Sequence, residues 1–197
     1  MDLIKEHSER KVLLSDLRII SIKKFNPINF WERLRVKRII DKNYELYYDI
    51  RRGYNFPIED NDPFFSKLYV QFLKKSSDIF GNFNLSPKNS SKSFCYRGNK
   101  REMGERKPNW WHNHINSSTI NSVYYLQVFN DGISFKKDGK VYDYLPENDE
   151  LLIFPADLSH AAQPNTLQKY RYSVNMEITT VESTSYLFDR VFKDGFS

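Results

Sequence analysis

Residues 150–178, ELLIFPADLSHAAQPNTLQKYRYSVNMEI, contain three short strand-like stretches that are separated by turns. They predict strands at residues 150–154, 159–163 and 170–178, with Pro155 at the first turn. Upstream, the same pattern predicts strands at residues 121–129, 133–137 and 140–145, and Asp138-Gly139 is typical of a type I′ hairpin. Many short strands at close spacing favour a sandwich or jelly roll over a parallel sheet.

The part of the chain before residue 94 has helical patterns instead. Asn29 and Glu32 have the spacing of a capping box, which predicts a helix that ends near Asp41. Asp62 is the expected N-cap of a second helix, which starts at Pro63. We therefore expect one domain that is mainly β with flanking helices: a mainly helical supporting region at 1–93, a β core at 94–180 and a C-terminal helix within 181–197.

Composition sets broad limits on the class of protein. The 197 residues are enough for one sizeable core, the single cysteine, Cys95, cannot form an internal disulfide, and no apolar run has the length of a membrane span. The first residues do not resemble a signal peptide, so we expect a cytoplasmic protein. Lys and Arg are concentrated in the first 110 residues, a pattern that suits either an anionic ligand or simply a solvated surface.

Three of the four histidines form the strongest candidate site. His112 and His114 are two residues apart, so on a strand both side chains point to the same face. His160, at the start of a predicted strand, is placed to supply a third imidazole. Each histidine taken alone is more often a hydrogen-bonded core or surface residue than a metal ligand, but the three together indicate a metal centre.

Arg171 is the second candidate. If it faces the interior, the two-residue period of a strand also turns Ser173, Asn175 and Glu177 inward. A buried arginine requires an anion, and its planar guanidinium suits a carboxylate, to which Ser173 could add a hydrogen bond. The alternative is an internal ion pair with Glu177 or Asp157. The opposite face of this strand would then carry Tyr172, Val174, Met176 and Ile178.

These motifs resemble the Fe(II)- and 2-oxoglutarate-dependent oxygenase superfamily over roughly residues 110–178. The motifs are Trp-x-His-x-His at 110–114, Tyr-Tyr-Leu at 124–126, Phe-Pro-x-x-Leu-x-His at 154–160 and Arg-x-Ser-x-Asn at 171–175. They are similar to those of a subgroup found in phages and marine bacteria that has prolyl-hydroxylase-like features. The resemblance implies a double-stranded β-helix, which is a cupin-like jelly roll.

The resemblance also implies roles for single residues. His112, His114 and His160 would be the catalytic iron ligands. The distal carboxylate of 2-oxoglutarate would be held by Arg171, Ser173 and Tyr125, with Asn121 as a further contact to co-substrate or substrate.

His114 departs from the superfamily pattern, because it stands where a carboxylate ligand is usual. Either it is the third iron ligand, which is our expectation, or it is the first ligand and Asn116 or water takes the second position. Trp110 and Trp111 are placed to cover the site or to pack in the core.

The implied activity is that of a dioxygenase that uses Fe(II), 2-oxoglutarate and O₂. It would hydroxylate an unactivated C–H bond of a peptide, an amino acid or a small metabolite and release succinate and CO₂. Two other readings stay open: a metal-binding cupin, and a non-catalytic jelly-roll binding module. We expect neither a membrane nor a nucleic acid as a partner, and a monomer or homodimer.

Overall fold

The computed structural model describes residues 10–51, 55–57, 63–89, 92–98, 111–165 and 167–193. Within these residues ten strands and three α-helices follow one another. The strands are β1 Arg10–Leu14, β2 Ile19–Ile22, β3 Asn55–Pro57, β4 Lys92–Gly98, β5 Ile120–Gln127, β6 Ile133–Lys137, β7 Lys140–Tyr144, β8 Glu150–Pro155, β9 Ser159–Ala162 and β10 Arg171–Ile178. The helices are α1 Phe30–Arg51, α2 Pro63–Phe80 and α3 Thr184–Lys193.

The strands form two antiparallel sheets. The large sheet has the order β1-β2-β8-β5-β10-β4-β3, and the small sheet has the order β7-β6-β9. An isolated antiparallel bridge between His112 and His160 extends the small sheet beyond β9. This two-sheet arrangement is the jelly roll that the sequence predicted. It brings His112 and His160 together through their backbones.

Alternation along β5 and β10 divides the core into two parts. Tyr124 and Val174 pack into a cluster with residues of the helices, whereas Val123 and Tyr125 pack between the two sheets with Leu152. Tyr172, Val174, Met176 and Ile178 all belong to the helix-side cluster, as predicted for that face of β10. The polar face of β10 is therefore turned toward the space between the sheets.

The helix signals in the sequence are confirmed at their starts. The Asn29 Oδ1 accepts a hydrogen bond from the Glu32 backbone N–H at 3.0 Å, and Glu32 Oε2 accepts one from the Asn29 N–H at 2.8 Å, which is the capping box. The end predicted near Asp41 was wrong, because α1 continues to Arg51 through residues that include no proline or glycine. Pro63 begins α2, and Asp62 lies outside the described residues.

The predicted hairpin turn is confirmed, but several strands were not predicted. Asp138 and Gly139 have φ values of 50° and 76°, which makes the predicted type I′ hairpin between β6 and β7. The sequence patterns did not predict β1, β2 and β3, which precede residue 94. Among the described residues, none of the helices combines the length and the apolar character that a membrane span requires.

Candidate metal and carboxylate site

The three histidines lie together at one end of the space between the sheets. Each of His112, His114 and His160 offers a potential ligand atom, and these atoms all lie within 4.8 Å of one another. The backbones of His112 and His160 are joined by two hydrogen bonds, from His112 N to His160 O at 3.1 Å and from His160 N to His112 O at 2.9 Å. The backbone N–H of His114 donates to Ala156 O at 2.8 Å. Strand β9 and the turn before it thus hold the segment that carries His112 and His114.

His160 is buried, and its ring orientation is fixed by a backbone carbonyl. Its Nδ1 lies 3.0 Å from the carbonyl oxygen of Leu158, so Nδ1 carries the proton and the lone pair is on Nε2. Burial, with a smaller contribution from His112, lowers the pKa of His160 to about 3. The side chain is therefore a neutral imidazole, which is the form that binds metals.

His114 is oriented by a carboxylate. Its Nδ1 lies 2.7 Å from Oε1 of Glu177, and Ser117 Oγ donates a hydrogen bond to Oε2 of the same residue at 3.3 Å. The contact leaves Nε2 of His114 for a metal. Glu177 does face inward as predicted, but its partner is His114, so its suggested ion pair with Arg171 was wrong.

The donor set fits a divalent transition metal such as Fe(II). Three imidazole nitrogens suit iron, and each of two rings is already held through Nδ1 by an acceptor outside the metal site. His112 is exposed, whereas His160 is buried, so the cluster is open to solvent on the His112 side. Asn116, the alternative ligand, is also exposed.

Arg171 lies in the wall of the same interior space. Its Nη1 donates to the carbonyl oxygen of Gly132 at 2.8 Å and lies 2.9 Å from Oδ2 of Asp131, and both charged side chains are almost completely buried. The guanidinium also stacks on the Tyr96 ring, with 4.4 Å between Cζ and the ring centroid. The anion that accompanies Arg171 is therefore Asp131, and the suggested pairing with Asp157, whose side chain is exposed, was wrong.

The Arg171 Nε remains a buried donor without a hydrogen-bond partner among the described residues. A buried N–H without an acceptor is costly, and a carboxylate ligand would supply the acceptor. Burial raises the pKa of Asp131, and the Arg171 guanidinium opposes this rise. Since the pair has little net charge, a ligand carboxylate at Arg171 would add a negative charge close to Asp131.

One cavity of about 120 Å³ connects the two ends of the site. A volume of about 10–15 Å³ on the same measure holds one water, so this cavity has room for a ligand of several non-hydrogen atoms. Its walls contain metal-cluster residues and carboxylate-binding candidates together. They are Tyr96, His112, Val123, Tyr125, Gly132, Ile133, His160, Ala162, Arg171, Ser173 and Asn175.

The remaining candidates occupy different positions. Tyr125 and Ser173 are cross-strand partners, and both line the cavity. Burial raises the pKa of Tyr125, and Arg171 opposes this, so the phenol keeps its proton and can donate a hydrogen bond to an anion. Asn121 is buried but does not line the cavity; it is the cross-strand partner of Glu177 and accepts a hydrogen bond from Ser118 Oγ at 2.6 Å. Its contact with co-substrate or substrate stays a prediction.

The aromatic cover of the site is partly described. Trp110 lies outside the described residues. Trp111 is partly exposed, and Lys136 Nζ lies 5.9 Å from its ring centroid.

Sequence patterns missed Tyr96, Asp131 and Gly132. Asp131 and Gly132 belong to the connection between β5 and β6, and they reach Arg171 only because the two sheets close over one another. An Asp-Gly pair after a strand indicates a turn but gives no sign of a partner 40 residues away.

Comparisons of the whole chain place this site in a known fold. No protein-family model and no curated protein matches the sequence. Solved structures do match. HygX from Streptomyces hygroscopicus, crystallised with nickel and 2-oxoglutarate bound, has a TM-score of 0.60 at 10% identity, over 87% of this chain and 88% of that one.

A 2OG-Fe(II) oxygenase family oxidoreductase from Burkholderia pseudomallei has a TM-score of 0.53 at 10% identity, over 83% of this chain and 86% of that one. The chain has the fold of the 2OG-Fe(II) oxygenases. A prolyl 4-hydroxylase from Phytophthora capsici has a TM-score of 0.56 at 11% identity. The match covers 87% of this chain but only 61% of that longer protein. The resemblance to a phage and marine bacterial subgroup stays a prediction.

Proposed function

We propose that the protein is an Fe(II)- and 2-oxoglutarate-dependent dioxygenase that hydroxylates an unactivated C–H bond. The observation that carries this proposal is that His112 and His160 of the metal cluster line the same cavity as the buried Arg171. The crystallised HygX, with its bound nickel and 2-oxoglutarate, supports the assignment because it has the same fold. A metal centre and a carboxylate site in one cavity suit a dicarboxylate that binds to both.

In this proposal His112, His114 and His160 hold the iron. Bound together, the iron and 2-oxoglutarate would supply the oxidative chemistry, in which O₂, 2-oxoglutarate and a C–H bond give succinate, CO₂ and an alcohol. The chain itself contributes binding, orientation and exclusion of water. His160 is buried and neutral, so it can coordinate without first losing a proton.

Arg171, Ser173 and Tyr125 bind the distal carboxylate. The Nε of Arg171 supplies a donor that has no partner among the described residues. The Ser173 hydroxyl, on the same strand, and the protonated Tyr125 phenol, on the neighbouring strand β5, add neutral donors. Because Gly132 O and the Tyr96 ring fix the guanidinium from two directions, its orientation is set before the ligand arrives.

The substrate would approach from the exposed side of the metal cluster. His112, Asn113 and Ile115 are exposed there, and Trp111 is partly exposed. A peptide, an amino acid or a small metabolite is the proposed substrate class. No membrane or nucleic-acid partner is proposed, and the protein would act as a monomer or homodimer.

The proposal is tested by retention and turnover of 2-oxoglutarate. Protein loaded anaerobically with Fe(II) should retain labelled 2-oxoglutarate through equilibrium dialysis, and admission of O₂ should convert part of it into succinate. His160→Ala should retain neither metal nor label. A protein that binds Fe(II) stoichiometrically but retains no 2-oxoglutarate would instead be a metal-binding cupin, and one that binds neither would be a non-catalytic module.

A further inference from the structure

Glu177 is a buried carboxylate that contacts one member of the metal cluster, His114, and the nearby Ser117. Its side chain is 6% exposed, and its Oε1 lies 2.7 Å from His114 Nδ1. Glu177 and Arg171 both belong to the polar face of β10, but Glu177 contacts His114 and not Arg171. A carboxylate in such a position needs a positive or hydrogen-bonding partner to offset its desolvation.

The two orienting contacts in the cluster differ in charge. His160 Nδ1 is held by a neutral backbone carbonyl, whereas His114 Nδ1 is held by a carboxylate. Both contacts fix the tautomer that leaves Nε2 for the metal. The negatively charged carboxylate polarises the Nδ1–H bond more strongly than the neutral carbonyl does, which makes the opposite ring nitrogen a stronger donor to a metal. Of the two rings, His114 is therefore the more electron-rich nitrogen donor.

The charge of the ligand set explains why this difference matters. Three neutral imidazoles leave a metal one unit more positive than two imidazoles and a carboxylate do. We propose that Glu177 is a positioning residue which, through His114, supplies the negative charge that is missing from the three-histidine ligand set. This inference rests on the metal site of the proposed function and assigns Glu177 a role that the sequence patterns did not predict.

Cobalt(II) titration tests the inference without any turnover. The purified metal-free chain and Glu177→Gln should each bind one Co(II) per chain, which is followed by the visible d–d absorption. Glutamine keeps an oxygen that can accept the Nδ1 hydrogen bond but has no charge. We expect Co(II) affinity to fall about 10- to 100-fold in Glu177→Gln, as for other groups that orient metal ligands.

The reduction potential of bound iron gives a second readout. Loss of the negative charge should raise the Fe(III)/Fe(II) potential of Glu177→Gln above that of the wild type, an effect that a purely structural role would not produce. Asp138→Asn is the matched control, since it removes one carboxylate from the exposed β6–β7 hairpin, where asparagine accepts a positive φ. Its Co(II) affinity and iron potential should equal those of the wild type.

The outcomes separate this inference from the proposed function. Failure of the wild-type chain to bind Co(II) would rule out the metal site itself, and with it the proposed function. Wild-type affinity and potential in Glu177→Gln, with the metal site intact, would overturn the role of Glu177 alone. Retention of wild-type affinity by His114→Ala together with loss in Glu177→Ala would also overturn it, because the carboxylate would then be the ligand.

Discussion

Arg171 and Asp131 form a buried ion pair inside the cavity wall, with 2.9 Å between Nη1 and Oδ2. Side-chain exposure is 3% for Arg171 and 0% for Asp131, so water screens neither charge well. The arginine that we assign to the co-substrate carboxylate is thus already neutralised in part by the protein.

Asp131→Asn should bind 2-oxoglutarate more tightly than the wild type. The asparagine keeps an oxygen that can face Arg171, while the repulsion between Asp131 and the ligand carboxylate is lost. At an effective dielectric constant of about 20, such a repulsion amounts to about 1–3 kcal/mol, so the dissociation constant should fall about 5- to 150-fold. Calorimetric titration of the Co(II)-loaded protein measures it. Equal or weaker binding would mean that Asp131 mainly orients Arg171.

Arg171→Ala should weaken 2-oxoglutarate binding while metal binding is retained. Loss of charge-assisted hydrogen bonds worth about 1.5–3 kcal/mol corresponds to about 10- to 150-fold in affinity. Because the single variant leaves Asp131 buried without its cation, Arg171→Ala with Asp131→Asn is the better-folded comparison. Separate titrations with Co(II) and 2-oxoglutarate measure the two affinities. Parallel losses in both titrations would point to a folding role for Arg171.

Ser173→Ala should have a smaller effect of the same kind. One neutral hydrogen bond contributes about 0.5–1.5 kcal/mol, so 2-oxoglutarate affinity should fall about 2- to 12-fold, and Tyr125→Phe should behave similarly. Both changes leave the metal cluster untouched. Unaltered affinity in Ser173→Ala would mean that the Ser173 hydroxyl does not contact the carboxylate.

Gly132→Ala should destabilise the protein. A Cβ on this glycine would lie 1.9 Å from the carbonyl oxygen of Tyr144 and 2.8 Å from Cδ of Pro146, so the backbone that accepts the Arg171 hydrogen bond must move. Overpacking of this kind costs about 1–3 kcal/mol, which lowers the melting temperature by about 2–12 °C in a protein of this size. Thermal unfolding measures this effect. An unchanged melting temperature would show that the loop adapts without strain.

Much of the fold was predictable because its signals are local. The β6–β7 hairpin follows from Asp138-Gly139, and the alternation of β10 predicted which of its residues face the helices. The strands before α1 were missed for the opposite reason. Strand β2 has only four residues, Ile19–Ile22, and its strand character depends on pairing with β8, which lies about 130 residues later in the sequence.

The site was predictable to the extent that its residues recur as motifs. The spacing of His112 and His114 identified two members of the histidine cluster that the fold does assemble. The polar face of β10 identified Arg171, Ser173 and Asn175, which line one cavity with His112. The partners of those residues were not predictable. Glu177 was available to either Arg171 or His114, and only the packing of the two sheets determines that it contacts His114.

The most direct test of the account is an anaerobic titration of metal-free protein with Fe(II) and then 2-oxoglutarate, followed by visible absorption. We predict a metal-to-ligand charge-transfer band that requires both additions, appears at one equivalent of iron and is absent from His160→Ala. A spectrum without this band at saturating concentrations of both would contradict the account, because the three histidines and Arg171 would then not act on one ligand.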